Sequence, residues 1–216
     1  HALETRLFNE LRSAVALSAA GLQAAGEALA ELDALASLGE VAARKRHVRP
    51  VLTTAGRLAF EQLRHPVLEE TLPRGQVVPN DLALDTRGAS NAKQGKQATP
   101  QILILTGPNM AGKSTYIRAA ALGTLLAQMG AFVPAEKAEV GLADRIFTRV
   151  GAADDLFGGR STFMVEMAEV ARIMSEATHR SLVILDEVGR GTSTYDGVSL
   201  AWALIEHLHG GPVRPR

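Results

Sequence analysis

Residues 102–114 read ILILTGPNMAGKS, and this stretch decides the fold. Ile102–Leu105 is a short continuous apolar run of the kind a strand buried on both faces shows. Gly107 to Ser114 then fits G-x-x-x-x-G-K-[ST], a pattern that carries chemistry only between a strand and a helix. Its glycines let successive backbone N–H groups converge on phosphate oxygens at a helix N-terminus. Lys113 is expected to lie along the β- and γ-phosphates of a nucleoside triphosphate, and the Ser114 hydroxyl to ligate Mg²⁺. The plain alternative, a Gly-rich turn with an accidental lysine, does not account for the flanking strand and helix.

Working outward, the pattern predicts a helix from about 113 to 129 and a strand near 145–150 (RIFTRV), which leads into a loop over 151–160. A helix over 162–177 sets Phe163, Met167, Val170 and Met174 on one side. Glu166, Glu169, Arg172 and Glu176 fall mostly on the other. Leu182–Leu185 (LVIL) is a second buried strand, and residues 197–209 make a last helix. Strands alternating with helices predict an α/β domain.

Asp186 and Glu187 emerge at the carboxyl end of the LVIL strand. In a parallel sheet that is the edge where a phosphate loop also sits. Asp186 is expected to hold Mg²⁺, directly or through water, and Glu187 to orient or deprotonate an attacking water. Two carboxylates after a strand would, standing alone, read equally well as an exposed loop start. A tight polar loop, GRGTSTYDG (189–197), follows them. Ser161 and Thr162 open a helix, where unsatisfied N–H groups favour negative charge. Ser161 reads as an ordinary N-cap, which does not prevent it from also facing a phosphate. His207 and His209 read as helix-end residues.

Residues 1–49 contain no proline and are rich in Ala, Leu, Glu and Arg. Two helices are expected, about 2–21 and 27–45, with Gly21 and Gly26 as weak break points. One such hairpin cannot bury its apolar face alone and must pack on something else. Residues 50–84 carry Pro66, Pro73 and Pro79 among short β-like runs and read as a strand-rich connector. Asp85–Gln101 reads as a polar surface loop without chemistry.

Composition narrows the classes. The 216 residues include no Cys, which excludes thiol catalysis, Cys-based zinc sites and a disulfide scaffold. Lys+Arg and Asp+Glu number 23 each, so the basic excess of a free-standing nucleic-acid binder is missing. Aromatics make up only 4%, leaving few platforms for stacking bases. At 46% apolar the chain is not disordered. No apolar run approaches the ~20 residues of a membrane span, and no leader precedes the helices, so a cytoplasmic protein without membrane contact is expected. The chain opens with His1 rather than Met, which suggests a piece of something longer.

Four runs carry a specific resemblance: TGPNMAGKSTYIR (106–118), FVPAEKAEVGLADRIFTRVGAADDL (132–156), STFMVEM (161–167) and LDEVGRGTSTYDGVSLAWA (185–203). Together with ALAELDALASLGEVA (28–42) and RHPVLE (64–69), they resemble the bacterial MutS family of DNA mismatch repair proteins over most of residues 1–209. The resemblance implies an α/β fold, an ABC-like P-loop ATPase domain preceded by a helical lever segment. The lever would occupy 1–47 and the ATPase domain 48–216, truncated at its C-terminal end. ATP and Mg²⁺ are the implied cofactors. The phosphate cradle would be Gly107, Pro108, Asn109, Met110, Ala111, Gly112, Lys113, Ser114 and Thr115, with Ser114 and Asp186 on the metal. Asn109 would contact the γ-phosphate or its attacking water, Glu187 keeps the role given above, and Ser161 would reach across a homodimer to the partner's γ-phosphate. Residues 189–197 resemble the loop that crosses that interface, and 1–46 resemble helices returning from a DNA clamp. Mismatched double-stranded DNA and a MutL-type protein are the implied partners of the full-length polypeptide.

Three departures stand out. Where the family has an aromatic to stack on adenine, Val77 or Val78 offers an apolar wall. The mismatch-reading sequences are missing, so discrimination of mismatched duplex is not expected from these residues alone. The chain stops at GGPVRPR (210–216), before a further strand and a Thr-His switch, leaving an edge beside Leu182–Leu185 uncovered. Impaired turnover is the expectation. Alternative readings are a catalytically impaired nucleotide-binding dimerisation fragment and the ATPase of the nuclease-bearing paralogue, whose signature loops differ from those here. The ATPase of a membrane transporter would show an LSGGQ-type signature, where this chain has STFMVEM.

Overall fold

The computed structural model describes residues 1–73, 75–87, 99–108, 110–149, 162–189 and 191–216. Two compact units account for them, His1–Arg44 and Lys45–Arg216. No helix is long and apolar enough to cross a membrane among the described residues.

The first unit is helix throughout: α1 (Ala2–Leu17) and α2 (Ala19–Lys45). The expected hairpin does not form. The junction is Ser18, whose φ of −97° and ψ of −1° stay in the right-handed region, so the chain does not reverse there. Gly21 and Gly26 both lie inside α2. A helical glycine costs only about 1 kcal/mol relative to alanine, and the strong helix formers around these two outweigh it. Leu3, Leu7 and Leu11 stand 59%, 53% and 65% exposed, so the apolar stripe has no partner within this unit.

In the second unit, β1 (Val51–Thr53), β2 (Arg57–Leu63), β3 (Asn80–Asp85) and β4 (Lys137–Gly141) form one sheet in the order β1-β4-β2-β3. β1 runs parallel to β4, and the other pairings are antiparallel. A short helix, α3 (Pro66–Thr71), links β2 to β3; the His65 ring accepts its capping bond from the Leu68 N–H. β5 (Ile146–Arg149) and β6 (Leu182–Leu185) form a parallel pair. α4 (Lys113–Gln128) precedes β4, α5 (Thr162–Glu176) joins β5 to β6, and α6 (Thr194–Gly210) follows.

Alternation along β6 explains the layering. Leu182 and Ile184 join the core of β2, β3, β4 and α4, which includes Leu58, Phe60, Leu82 and Val140. Val183 and Leu185 face the other way, against Val170 of α5 and Leu204 and Leu208 of α6. One strand is therefore buried on both faces, as the continuous run LVIL requires. α4 enters the first core with small residues, Ala119, Ala120, Gly123 and Ala127. A Cβ on Gly123 would meet the Phe60 ring at 3.1 Å, so helix and sheet approach closely there. On the outer side of α6, Trp202 is 66% exposed.

Three further expectations are corrected. Ile102–Leu105 belongs to neither sheet, and Leu103, Ile104 and Leu105 are 42%, 63% and 37% exposed. A strand buried on both faces needs ladder partners, whereas this run and β6 line a common cavity of about 420 Å³. Nor is the 85–101 segment surface throughout: Asp85 and Gln101 at its ends are 1% and 2% exposed. The Gln101 amide donates to the carbonyls of Leu208 at 3.0 Å and Pro215 at 2.9 Å, and its oxygen accepts from Arg214 Nε at 3.1 Å. Residues 88–98 of that loop lie outside the described residues. The edge of β6 is covered at its start, because the Arg216 N–H donates to Ser181 at 3.0 Å and its carbonyl accepts from Val183 at 2.6 Å.

Phe60, 1% exposed, fills the space between α4 and β2. Phe60→Ala should cost about 3–5 kcal/mol in denaturant unfolding; a loss below about 1 kcal/mol would mean that α4 does not bear on this ring.

The turn into β6 is fixed by Asp144, whose carboxylate accepts from Thr178 Oγ1 at 2.6 Å and Ser181 Oγ at 3.0 Å. Burial pushes this carboxyl up, but the hydroxyl bonds and the nearby Arg180 outweigh it and hold it below its ordinary 3.8. The resulting stability is complete above the ordinary value and is lost as pH falls through the lower folded value. Asp144→Asn should therefore destabilise by about 1 kcal/mol near neutrality, with the difference closing in strong acid. A pH-independent difference in chemical unfolding would rule this out.

Candidate active site

The phosphate-loop motif ends at the N-terminus of α4, which begins at Lys113. Gly112 immediately before it has φ +92°, a left-handed conformation that disfavours any side chain. Met110 adopts φ +65° without that freedom, and its side chain is fully exposed. The helix has no side-chain cap and no acidic residue in its first turn. Its leading N–H groups therefore lack intrahelical acceptors, and its dipole favours an anion there. Lys113 Nζ turns back onto the loop, donating to the carbonyls of Gly107 at 2.7 Å and Pro108 at 2.6 Å. Ser114 and Thr115 follow it, both half-buried.

β6 delivers the acids. Asp186, 9% exposed, donates its N–H to the Arg149 carbonyl at 2.8 Å, continuing the β5–β6 ladder by one residue. Glu187 next to it is exposed and has φ +62°, uncommon for a residue with a side chain. Lys113, Asp186 and Glu187 line the same 420 Å³ cavity, with Leu105 and Tyr116 among its other walls. Basic loop and acidic strand end thus converge, although the 102–105 run between them is not a strand.

The remaining residues singled out in the sequence are less central. Val77 is half-buried in a bend between α3 and β3 and does not line that cavity. The Tyr116 hydroxyl ties α4 to this region, donating to the Asp81 carbonyl at 2.8 Å. Asn109, Ser161 and the 151–160 loop lie outside the described residues. His207 and His209 occupy the last turn of α6.

Sequence reasoning missed two side chains. Glu166 was assigned to the polar face of α5, but it is 3% exposed and accepts the Gly189 N–H at 2.6 Å. Helical spacing could not reveal this, because a glutamate among Glu169, Arg172 and Glu176 looks like its neighbours. Tyr116 is the other; its one signal in the sequence is that a tyrosine facing a core needs a partner for its hydroxyl.

No group of three or more His, Asp or Glu residues suited to a metal occurs among the described residues. Ser114 and Asp186 are the kind of sparse set that suits Mg²⁺ shared with substrate phosphates rather than an all-protein cage.

Comparison with known proteins points to one family. The family described as MutS domain V matches residues 103–212. The chain is 58% identical to the DNA mismatch repair protein MutS of Anaeromyxobacter dehalogenans (strain 2CP-C), over 96% of this chain and 23% of that protein. It is 54% identical to the protein of that name from Symbiobacterium thermophilum, over 96% and 22%. With that of Salinibacter ruber the identity is 53%, over 97% and 22%. The chain thus spans less than a quarter of the length of these relatives. Phosphate loop, acidic strand end and extensive identity lead to one conclusion: the chain belongs to the MutS family, with its residues 103–212 matching domain V.

Proposed function

We propose that residues 48–216 are an ABC-like P-loop ATPase domain that binds Mg-ATP within a longer mismatch repair polypeptide, and that residues 1–47 belong to its lever. The observation that carries this reading is the cavity shared by Lys113, Asp186 and Glu187. A lysine at an uncapped helix N-terminus, opposite two carboxylates, is an arrangement suited to a metal-bound polyphosphate. The Lys113 ammonium donates to two loop carbonyls; phosphate oxygens would replace them as stronger, charge-assisted acceptors. Ser114 Oγ and the Asp186 carboxylate would hold Mg²⁺, which when bound neutralises charge on the phosphates. Glu187, exposed beside them, would orient or deprotonate water.

The partner-dependent roles extend the reading. Asn109 would contact the γ-phosphate or the attacking water, and Ser161 the γ-phosphate of a second copy. Turnover would then require a homodimer through this face. The name the relatives carry, DNA mismatch repair protein, supports mismatched duplex DNA as the ligand of the longer polypeptide and a MutL-type protein as its downstream partner. Val77 would offer the adenine an apolar wall rather than a stacking ring.

Lys113→Ala removes the charge facing the phosphates and leaves the backbone cradle. Mg-ATP affinity by calorimetry should fall about tenfold or more with the fold intact. Equal affinities in variant and parent would take Lys113 out of the site.

Glu187→Gln keeps shape and hydrogen bonding but cannot accept a proton. In the full-length polypeptide it should leave Mg-ATP binding within about twofold while lowering single-turnover hydrolysis by roughly a hundredfold. Retention of the parental rate would defeat the general-base role.

A further inference from the structure

We infer that Glu166 is a positioning residue that holds Glu187 in its working conformation through the Gly189 amide. The inference rests on the ATPase reading of the site. Glu187 has φ +62°, and such a backbone persists only where its surroundings over-determine it. Two anchors follow immediately. Val188 packs into the α5–α6–β6 core, and the Gly189 N–H is donated to the buried Glu166 carboxylate at 2.6 Å.

Gly189 itself has φ +86° and sits so close to Gly197 that a Cβ on it would meet the Gly197 Cα at 2.7 Å. On the far side of the loop, a Cβ on Gly191 would meet the Phe163 Cβ at 2.8 Å. The segment after the acidic pair is therefore clamped between the first turns of α5 and α6. Glu166 supplies the hydrogen bond in that clamp. A partly buried N–H deprived of its acceptor is disfavoured, so without this carboxylate the loop would shift to find water and release the backbone of Glu187. Glu166 lies one turn into α5, which begins at Thr162. A displacement of that helix end would be passed by this bond to the water-orienting carboxylate. Arg149 pairs with Glu169 at 2.8 Å, so α5 and the β5–β6 ladder are tied at a second point on the same helix.

The test compares Glu166→Leu, which fills the volume without an acceptor, with Glu166→Gln, which retains an oxygen acceptor. Hydrogen exchange over residues 186–192 and steady-state Mg-ATP kinetics are measured on both variants and the parent, each as the full-length polypeptide. Glu166→Leu should exchange the Gly189 amide about tenfold faster or more and lose about tenfold or more in kcat, with KM within about twofold. Glu166→Gln should stay near the parent in all three. Parental kcat in Glu166→Leu, or equal damage in both variants, would overturn the inference. A parent that binds Mg-ATP without any turnover would instead defeat the ATPase reading. In that case unchanged exchange at Gly189 in Glu166→Leu would still overturn the clamp.

Discussion

The close approach of α4 to β2 and β6 is the constraint on which the site depends. Ala119, Ala120, Gly123 and Ala127 give the helix an almost flat face, and Phe60, Leu182 and Ile184 pack in the same core. Interiors packed to crystal-like density leave little room for a helix to slide. Fixing this face fixes the helix axis, and with it the position of Lys113 relative to the carboxyl end of β6. The described residues of 107–114 are exposed or half-buried, so a core that contains none of them sets their position.

Strain is distributed with purpose around that scaffold. Among the described residues, Arg46, Gln62, Met110 and Glu187 are the non-glycine residues with positive φ. Gln62 coincides with a register shift between β2 and β3, where its N–H and side-chain amide both donate to Asp81 Oδ1, at 2.8 Å and 3.0 Å. Met110 and Glu187 lie in the phosphate loop and the acidic turn. Backbone held away from its preferred basins at such places is commonly part of a site's preorganisation. At Glu187 the packing of Val188 and the Gly189–Glu166 hydrogen bond flank that backbone.

Much of the α/β region was legible because its signals are local. LVIL predicted β6, and the helix after the phosphate loop matched α4 to within a residue at its end. Pairing was not legible. Ile102–Leu105 has the composition of a buried strand, yet a strand exists only where a neighbour supplies ladder bonds, and no periodicity records that neighbour. The Gly21 and Gly26 break points failed for a related reason: a glycine weakens a helix slightly, and turning the chain takes more than weakness. At the candidate site, residue types singled out Lys113, Asp186 and Glu187, which line one cavity. They could not reveal Glu166, whose role arises from burial against a loop 23 residues further along the chain.

The lone tryptophan has a practical consequence. With one Trp and two Tyr in the chain, ultraviolet-excited emission comes overwhelmingly from Trp202, on the outer side of α6 and 66% exposed. Its emission maximum should lie toward the red, as for an indole in water, and should move blue when another surface covers that helix. Since α6 begins right after the glycine-clamped turn that follows the acidic pair, the intrinsic colour of the protein is an optical gauge of events on the helix next to the site, with no dye or label attached.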